Sequence, residues 1–163
     1  MSRDARRVPT ASDRQAGGAA LRTGLILGIG AMGALDEIAF HQLLQWHNFY
    51  DHAGDVGRIV SDGLLHLFTL ALLLLGAARL WSGRRTLATV LTARPLRAGV
   101  LLGMGGFQLF DGLVNHKLLR LHQIRADTGN LLPYDVAWNG VALLLILAGW
   151  ASLTADRSNR GRR

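Results

Sequence analysis

Four apolar blocks alternate with polar segments along the chain, at about residues 21–46, 59–80, 95–122 and 134–153. A helix needs ~20 mostly apolar residues to cross a ~30 Å hydrocarbon core, and each block is long enough. The pattern predicts an all-α integral membrane protein, a bundle of four spanning helices. Residues 47–58 and 123–133 then form loops on one side, and residues 82–94 form the connector on the other. Residues 1–20, polar and rich in arginine, are expected to be a disordered tail. The membrane domain is expected at 21–153, followed by a short basic tail at 154–163.

The blocks are not independent of one another. The stretch 24–47 reads G-x3-G-x-G-x5-D-x4-H-x5-H, and the same pattern returns at 99–122. An offset of 75 carries Gly24 to Gly99, Gly28 to Gly103, Gly30 to Gly105, Asp36 to Asp111, His41 to His116 and His47 to His122. The second and fourth blocks correspond more weakly: Asp62-x3-His66 opens one and Asp135-x3-Asn139 the other, at an offset of 73. Two helices per repeat (21–81 and 95–153) make both repeats enter the membrane in the same direction. That predicts a pseudo-two-fold axis along the membrane normal. Gly24 with Gly28 and Gly99 with Gly103 are expected to let the first and third spans approach closely.

The net charge of +7 is almost wholly arginine, and its placement matters more than its size. Arg3, Arg6, Arg7, Arg14 and Arg22 precede the first span. Arg79, Arg84, Arg85, Arg94 and Arg97 flank or occupy the connector, and Arg157, Arg160, Arg162 and Arg163 follow the last span. This is the positive-inside distribution of an even-span membrane protein with both termini cytoplasmic. It explains the basic balance without nucleic acid. The polar start lacks the short apolar core of a signal peptide, so no cleavage is expected. Cysteine is absent, which removes disulfides and thiolate ligands.

Ionisable side chains inside spans are costly and usually functional. All six histidines lie in the outer half or its loops, as do eight of the eleven acidic residues. At ~1.5 Å rise per residue, Asp36 lies ~20 Å and His41 ~27 Å along the first span. Asp111 and His116 repeat those depths, and Asp62 and His66 open the second span at a similar level. At ~100° per residue, Asp36, Glu37, His41 and His47 fall on one side of a continuous helix. Carboxylates and imidazoles projecting inward from several helices are how helical bundles build metal sites. The candidate ligands are His41, His66, His116, Glu37, Asp36, Asp62 and Asp111, with His47 and His122 forming an entrance or outer site. His66 is expected to matter most in the second span, which offers no other imidazole. Glu37 has no counterpart, because Gly112 takes its place. Met1, Met32 and Met104 lie away from this layer, which disfavours a thioether Cu(I) site. Imidazole with carboxylate suits Zn, Cu(II) or Fe.

The strings ALDEIAFHQLLQWHN, VSDGLLH, LFDGLVNHKLLRLHQI and YDVAWN resemble a family of bacterial four-span membrane proteins known only as a domain of unknown function. The resemblance covers about residues 21–153 and implies the fold and location, without an activity.

The expected function is transition-metal binding on the extracytoplasmic side, in metal handling or redox chemistry, with enzymatic activity left open. The alternatives are a proton or cation pathway, a haem bundle using His66 with His41 or His116, and a non-catalytic subunit or assembly factor. The last would associate with a membrane-protein partner or a second copy of the chain. The inner halves GLILGIGAMG and GVLLGMGG carry no polar residue to continue a path inward, which weighs against the first alternative.

Overall fold

The computed structural model describes residues 10–82 and 94–161, with the side chains of the last helix described as far as residue 155. Four α-helices and no strand occur among the described residues: α1 (Ala11–Asp36), α2 (Asp55–Ser82), α3 (Arg94–Phe110) and α4 (Leu132–Gly161). α1 runs on into a π-helical segment, Glu37–Leu43, and α3 into a second one, Asp111–Leu118. Among the described residues, three helices are long and apolar enough to cross a membrane: Ala11–Leu43, Asp55–Ser82 and Leu132–Ala155. The α-helical part of α3 is shorter, at 17 residues.

Two boundaries differ from the sequence expectation. α1 begins at Ala11, so the expected tail is helical from there onward, and α4 continues to Gly161 through the expected basic tail. Thr10 starts α1 with a capping box: its hydroxyl accepts from Asp13 N, and the Asp13 carboxylate accepts from Thr10 N. Polar residues mark where a helix leaves the hydrocarbon, not where it must stop, because Ala, Arg and Gln propagate helix well. Residues 1–9, and residues 83–93 of the expected 82–94 connector, lie outside the described residues.

α1 and α3 form the centre. A Cβ on Gly24 would stand 2.9 Å from Gly99 Cα, and one on Gly99 would stand 2.9 Å from Gly24 Cα. Gly28 and Gly103 meet the opposing backbone in the same way, at Val100 O and Leu25 O. The absent side chains let two backbones touch, as glycine spacing does in membrane helix pairs. α2 packs on α1, with Gly30 against Thr69, Leu72 and Leu73. α4 packs on α3, with Gly105 against Ala142 and Ile146. The outer faces of α2 and α4 expose Leu64, Leu67, Leu74, Leu143, Leu144 and Leu147. So much contiguous apolar surface suits lipid rather than water.

The first and third helices end earlier than the apolar pattern predicts. They stop at Leu43 and Leu118 rather than near 46 and 122. Gln45 and Arg120 then each adopt φ of 51°, a left-handed conformation uncommon without glycine. The chain folds back there, and the two outer loops join: Asp51 N donates to Leu121 O and Ala126 N to Trp46 O, both at 3.0 Å.

Candidate metal centre

The fold-back decides where the histidines go. His47 and His122 lie just past the two left-handed turns and are drawn under the loops instead of continuing up the helix axis. Their rings stack at 4.6 Å with 7° between planes. His41 sits edge-on to His47 at 4.5 Å, and His116 edge-on to His122 at 4.6 Å. All four imidazoles are buried, as are Asp36 and Asp111.

Each stacked ring is clasped by the other half of the chain. His47 Nδ1 lies 2.8 Å from Ile124 O, and His122 Nδ1 lies 2.9 Å from Phe49 O. A carbonyl oxygen only accepts, so each Nδ1 carries the hydrogen. In the neutral ring Nε2 is then a bare lone pair. Burial, with His122 and His41 nearby, pushes the His47 imidazole down to about 3, so at neutral pH that ring is neutral.

Those lone pairs face carboxylates. His47 Nε2 is 4.0 Å from Asp36 Oδ1, and His122 Nε2 is 3.5 Å from Asp111 Oδ1. His41 Nε2 is 3.7 Å from Asp36 Oδ2, and His116 Nε2 is 2.9 Å from Asp111 Oδ2. Even so, Asp36 Oδ1, Asp111 Oδ2 and the Nε2 atoms of His41, His47, His116 and His122 make no hydrogen bond among the described residues. Buried polar atoms left in that state carry a desolvation cost of ~1–3 kcal/mol each, more for charged groups. The groups His47–His116–His122 and Asp36–His41–His47 each bring three donor atoms within 4.8 Å of one another, close enough to share an ion.

Glu37 and Asp62 reach the other face of His41. Its Nδ1 lies 3.0 Å from Glu37 Oε2 and 3.0 Å from Asp62 Oδ1. Asp62 also accepts from Phe49 N and from Asn48 Nδ2, both at 2.7 Å, and so ties the outer loop to α2. Gln42 Nε2 donates to Glu37 Oε1 at 3.0 Å, an i, i+5 contact that fits the π-helical turn. π-helical segments inside α-helices often occur at functional sites, and here one lies beneath each half of the cluster.

The structure thus brings together Asp36, Glu37, His41, His47, Asp62, Asp111, His116 and His122. His66 stays exposed, at a groove that Glu37, His41 and Asp62 also line. The four residues from Asp62 to His66 turn the helix by roughly 40° beyond one full circle, enough at the edge of a contact stripe to face outward. His47 and His122 are at the centre rather than at an entrance. The carbonyls of Phe49 and Ile124, and Gln42 and Asn48, have no signature that sequence reading could have used. Lys117 pairs with Asp135 at 2.7 Å.

Residues 23–156 match the family described as predicted membrane protein (DUF2243), and the chain belongs to it. No curated protein and no solved structure matches the chain.

Proposed function

We propose that this membrane protein holds a transition-metal ion, or a pair of ions, at the extracytoplasmic end of a four-span bundle. The donors are Nε2 of His41, His47, His116 and His122 with the carboxylates of Asp36 and Asp111. Asp62 holds Nδ1 of His41 and orients its ring, with Glu37 beside the same nitrogen, as carboxylates behind metal-bound imidazoles generally do. The observation that carries this reading is the pair of clasped rings. Backbone carbonyls fix the tautomer of His47 and His122, and the lone pairs so created point at buried carboxylate oxygens. Lone pair against anion is repulsive, and a cation between them turns it into binding. Nitrogen and oxygen donors without sulfur suit Zn, Cu(II) or Fe. The role is metal handling or redox chemistry.

The two halves are read as parallel repeats about an axis along the membrane normal, with α3 and its π-helical extension as the fourth span. What supports this is the exchange of contacts under an offset of 75. His47 to Ile124 O becomes His122 to Phe49 O, and Asp51 N to Leu121 O becomes Ala126 N to Trp46 O. The arginine distribution supports cytoplasmic termini in a bacterial inner membrane. A cysteine introduced at Ala53 should react with an impermeant thiol reagent in intact cells, and one at Ser2 should not.

The other readings fit less well. Imidazoles stacked at 4.6 Å leave no gap for a porphyrin between His47 and His122, and His66, the haem ligand expected with His41 or His116, is exposed. Inward of the cluster, Thr69 Oγ1 donates to His66 O and Gln108 Nε2 to Trp138 O, so neither polar group extends a proton chain. Elemental analysis of the purified, detergent-solubilised protein tests the metal reading. Bound metal, or thermal stabilisation of the stripped protein by added Zn, Cu or Fe ions, is expected. Absence of both would sink it.

A further inference from the structure

Outside the cluster the two repeats diverge. In repeat one, Glu37, Gln42, Asn48, Asp62 and His66 line an open cavity of about 500 Å³. In repeat two the corresponding space is filled. Gly112 stands where Glu37 does, and a Cβ there would lie 2.6 Å from Asn139 Oδ1 and 2.8 Å from Trp138 Cδ1. Lys117, at the position of Gln42, pairs with Asp135, at the position of Asp62, at 2.7 Å. The repeat-one groove carries two carboxylates, and among the described residues no lysine or arginine lines it.

Two further observations connect the groove to the cluster. Glu37 is 1% exposed, and its Oε2 makes no hydrogen bond among the described residues. His41 faces both compartments: Nδ1 is 3.0 Å from Glu37 and Asp62 on the groove side, and Nε2 is 3.7 Å from Asp36 on the cluster side.

We propose that this groove receives a hydrated divalent transition-metal cation, and that ions enter the buried cluster through it rather than through the corresponding space of repeat two. The inference rests on the metal reading of the cluster. His66 offers the first imidazole at the rim, Glu37 and Asp62 supply the attracting charge, and His41 leads inward. An anionic cleft walled by apolar surface concentrates cations and raises their capture rate by about tenfold or more.

The test uses full-length protein in detergent, stripped with a chelator, with Zn2+ as the probe. Uptake and chelator-driven release are followed by a chromogenic zinc indicator. Gln42→Lys places in repeat one the cation that repeat two already carries. It should slow uptake about tenfold and slow release as well, since a barrier on the route acts in both directions. His66→Ala, at an exposed position where folding is not at stake, should slow uptake several-fold. Lys117→Gln should leave the rate unchanged, because Trp138 and Asn139 still fill the space. Wild-type rates in both Gln42→Lys and His66→Ala, or faster uptake in Lys117→Gln, would overturn this entrance while leaving the metal cluster standing. Wild-type protein that takes up no zinc would overturn both.

Discussion

Asp36, His41 and His47 in repeat one stand over Asp111, His116 and His122 in repeat two, and all six are buried around one centre. Around them the likeness stops. Repeat one sets Glu37, Gln42, Asp62 and His66 where repeat two has Gly112, Lys117, Asp135 and Asn139. Repeat one is therefore anionic and open on this side; repeat two is neutralised by an ion pair and filled by Trp138. The duplicated part is the part whose geometry must converge on a point. The part that differs decides what reaches that point. Paired substitutions separate the two kinds of position, because they should act equally in the centre and unequally outside it.

The largest effect is expected from Asp36→Ala and Asp111→Ala. Each removes the carboxylate facing two imidazoles in its half, and each should weaken zinc affinity by at least ~100-fold, more than the loss of an orienting group does. Titration calorimetry on both variants checks this. A disparity above about tenfold between them would break the equivalence of the halves.

Next are Gly28→Val and Gly103→Val. Both positions face the backbone of the opposite helix, where nothing flexible can move aside. Each should lower stability by about 3 kcal/mol or more, at the upper end of overpacking costs, and by similar amounts. Denaturant titration in detergent measures both. If Gly28→Val is tolerated and Gly103→Val is not, the central contact is not the exchange-symmetric one described.

A difference between the repeats is expected from Asp62→Asn and Asp135→Asn. Asp62 holds His41 Nδ1 and the Asn48–Phe49 turn, so its loss should weaken metal affinity by about tenfold. Asp135 pairs with Lys117 away from the cluster, and its loss should leave affinity within about twofold, as for a surface ion pair. Equal effects would show that the open groove plays no part in positioning His41.

Much of this was legible in the sequence. The apolar blocks set the helices, and the glycine spacing set the contact between α1 and α3. The offset of 75 paired the residues that now meet. What was not legible follows from one assumption, that the helices continue straight. A straight helix would carry His47 roughly 36 Å from Thr23, beyond the hydrocarbon, where an entrance is the natural reading. The π-helical segments and the left-handed Gln45 and Arg120 end the helices early and return both histidines to the centre. Nothing in the apolar periodicity marks that turn. His66 shares a groove with Asp62 as their spacing suggests, but it is exposed where Asp62 is buried.

The smallest effect concerns pH, and it isolates one ring of the stacked pair. His47 lies past the first membrane-spanning helix, and burial with His122 and His41 nearby lowers it from 6.5 to about 3. An unfolded chain takes up that proton at about 6.5, while the folded metal-free protein refuses it until far lower pH. The unfolded state therefore binds more protons throughout that window. The contribution of His47 is therefore neutral above 6.5 and increasingly destabilising as pH drops towards 3. From pH 7 to pH ~4.5 the melting temperature of stripped protein in detergent should thus fall relative to that of His47→Gln, which keeps a donor for Ile124 O but cannot titrate. With zinc bound the decline should be steeper than in the stripped protein, because protons compete with the ion for the other imidazoles as well. A His47→Gln curve parallel to that of the unsubstituted protein would show that the clasped ring is not held neutral by its burial, and the lone pair at the centre of the metal reading would lose its footing.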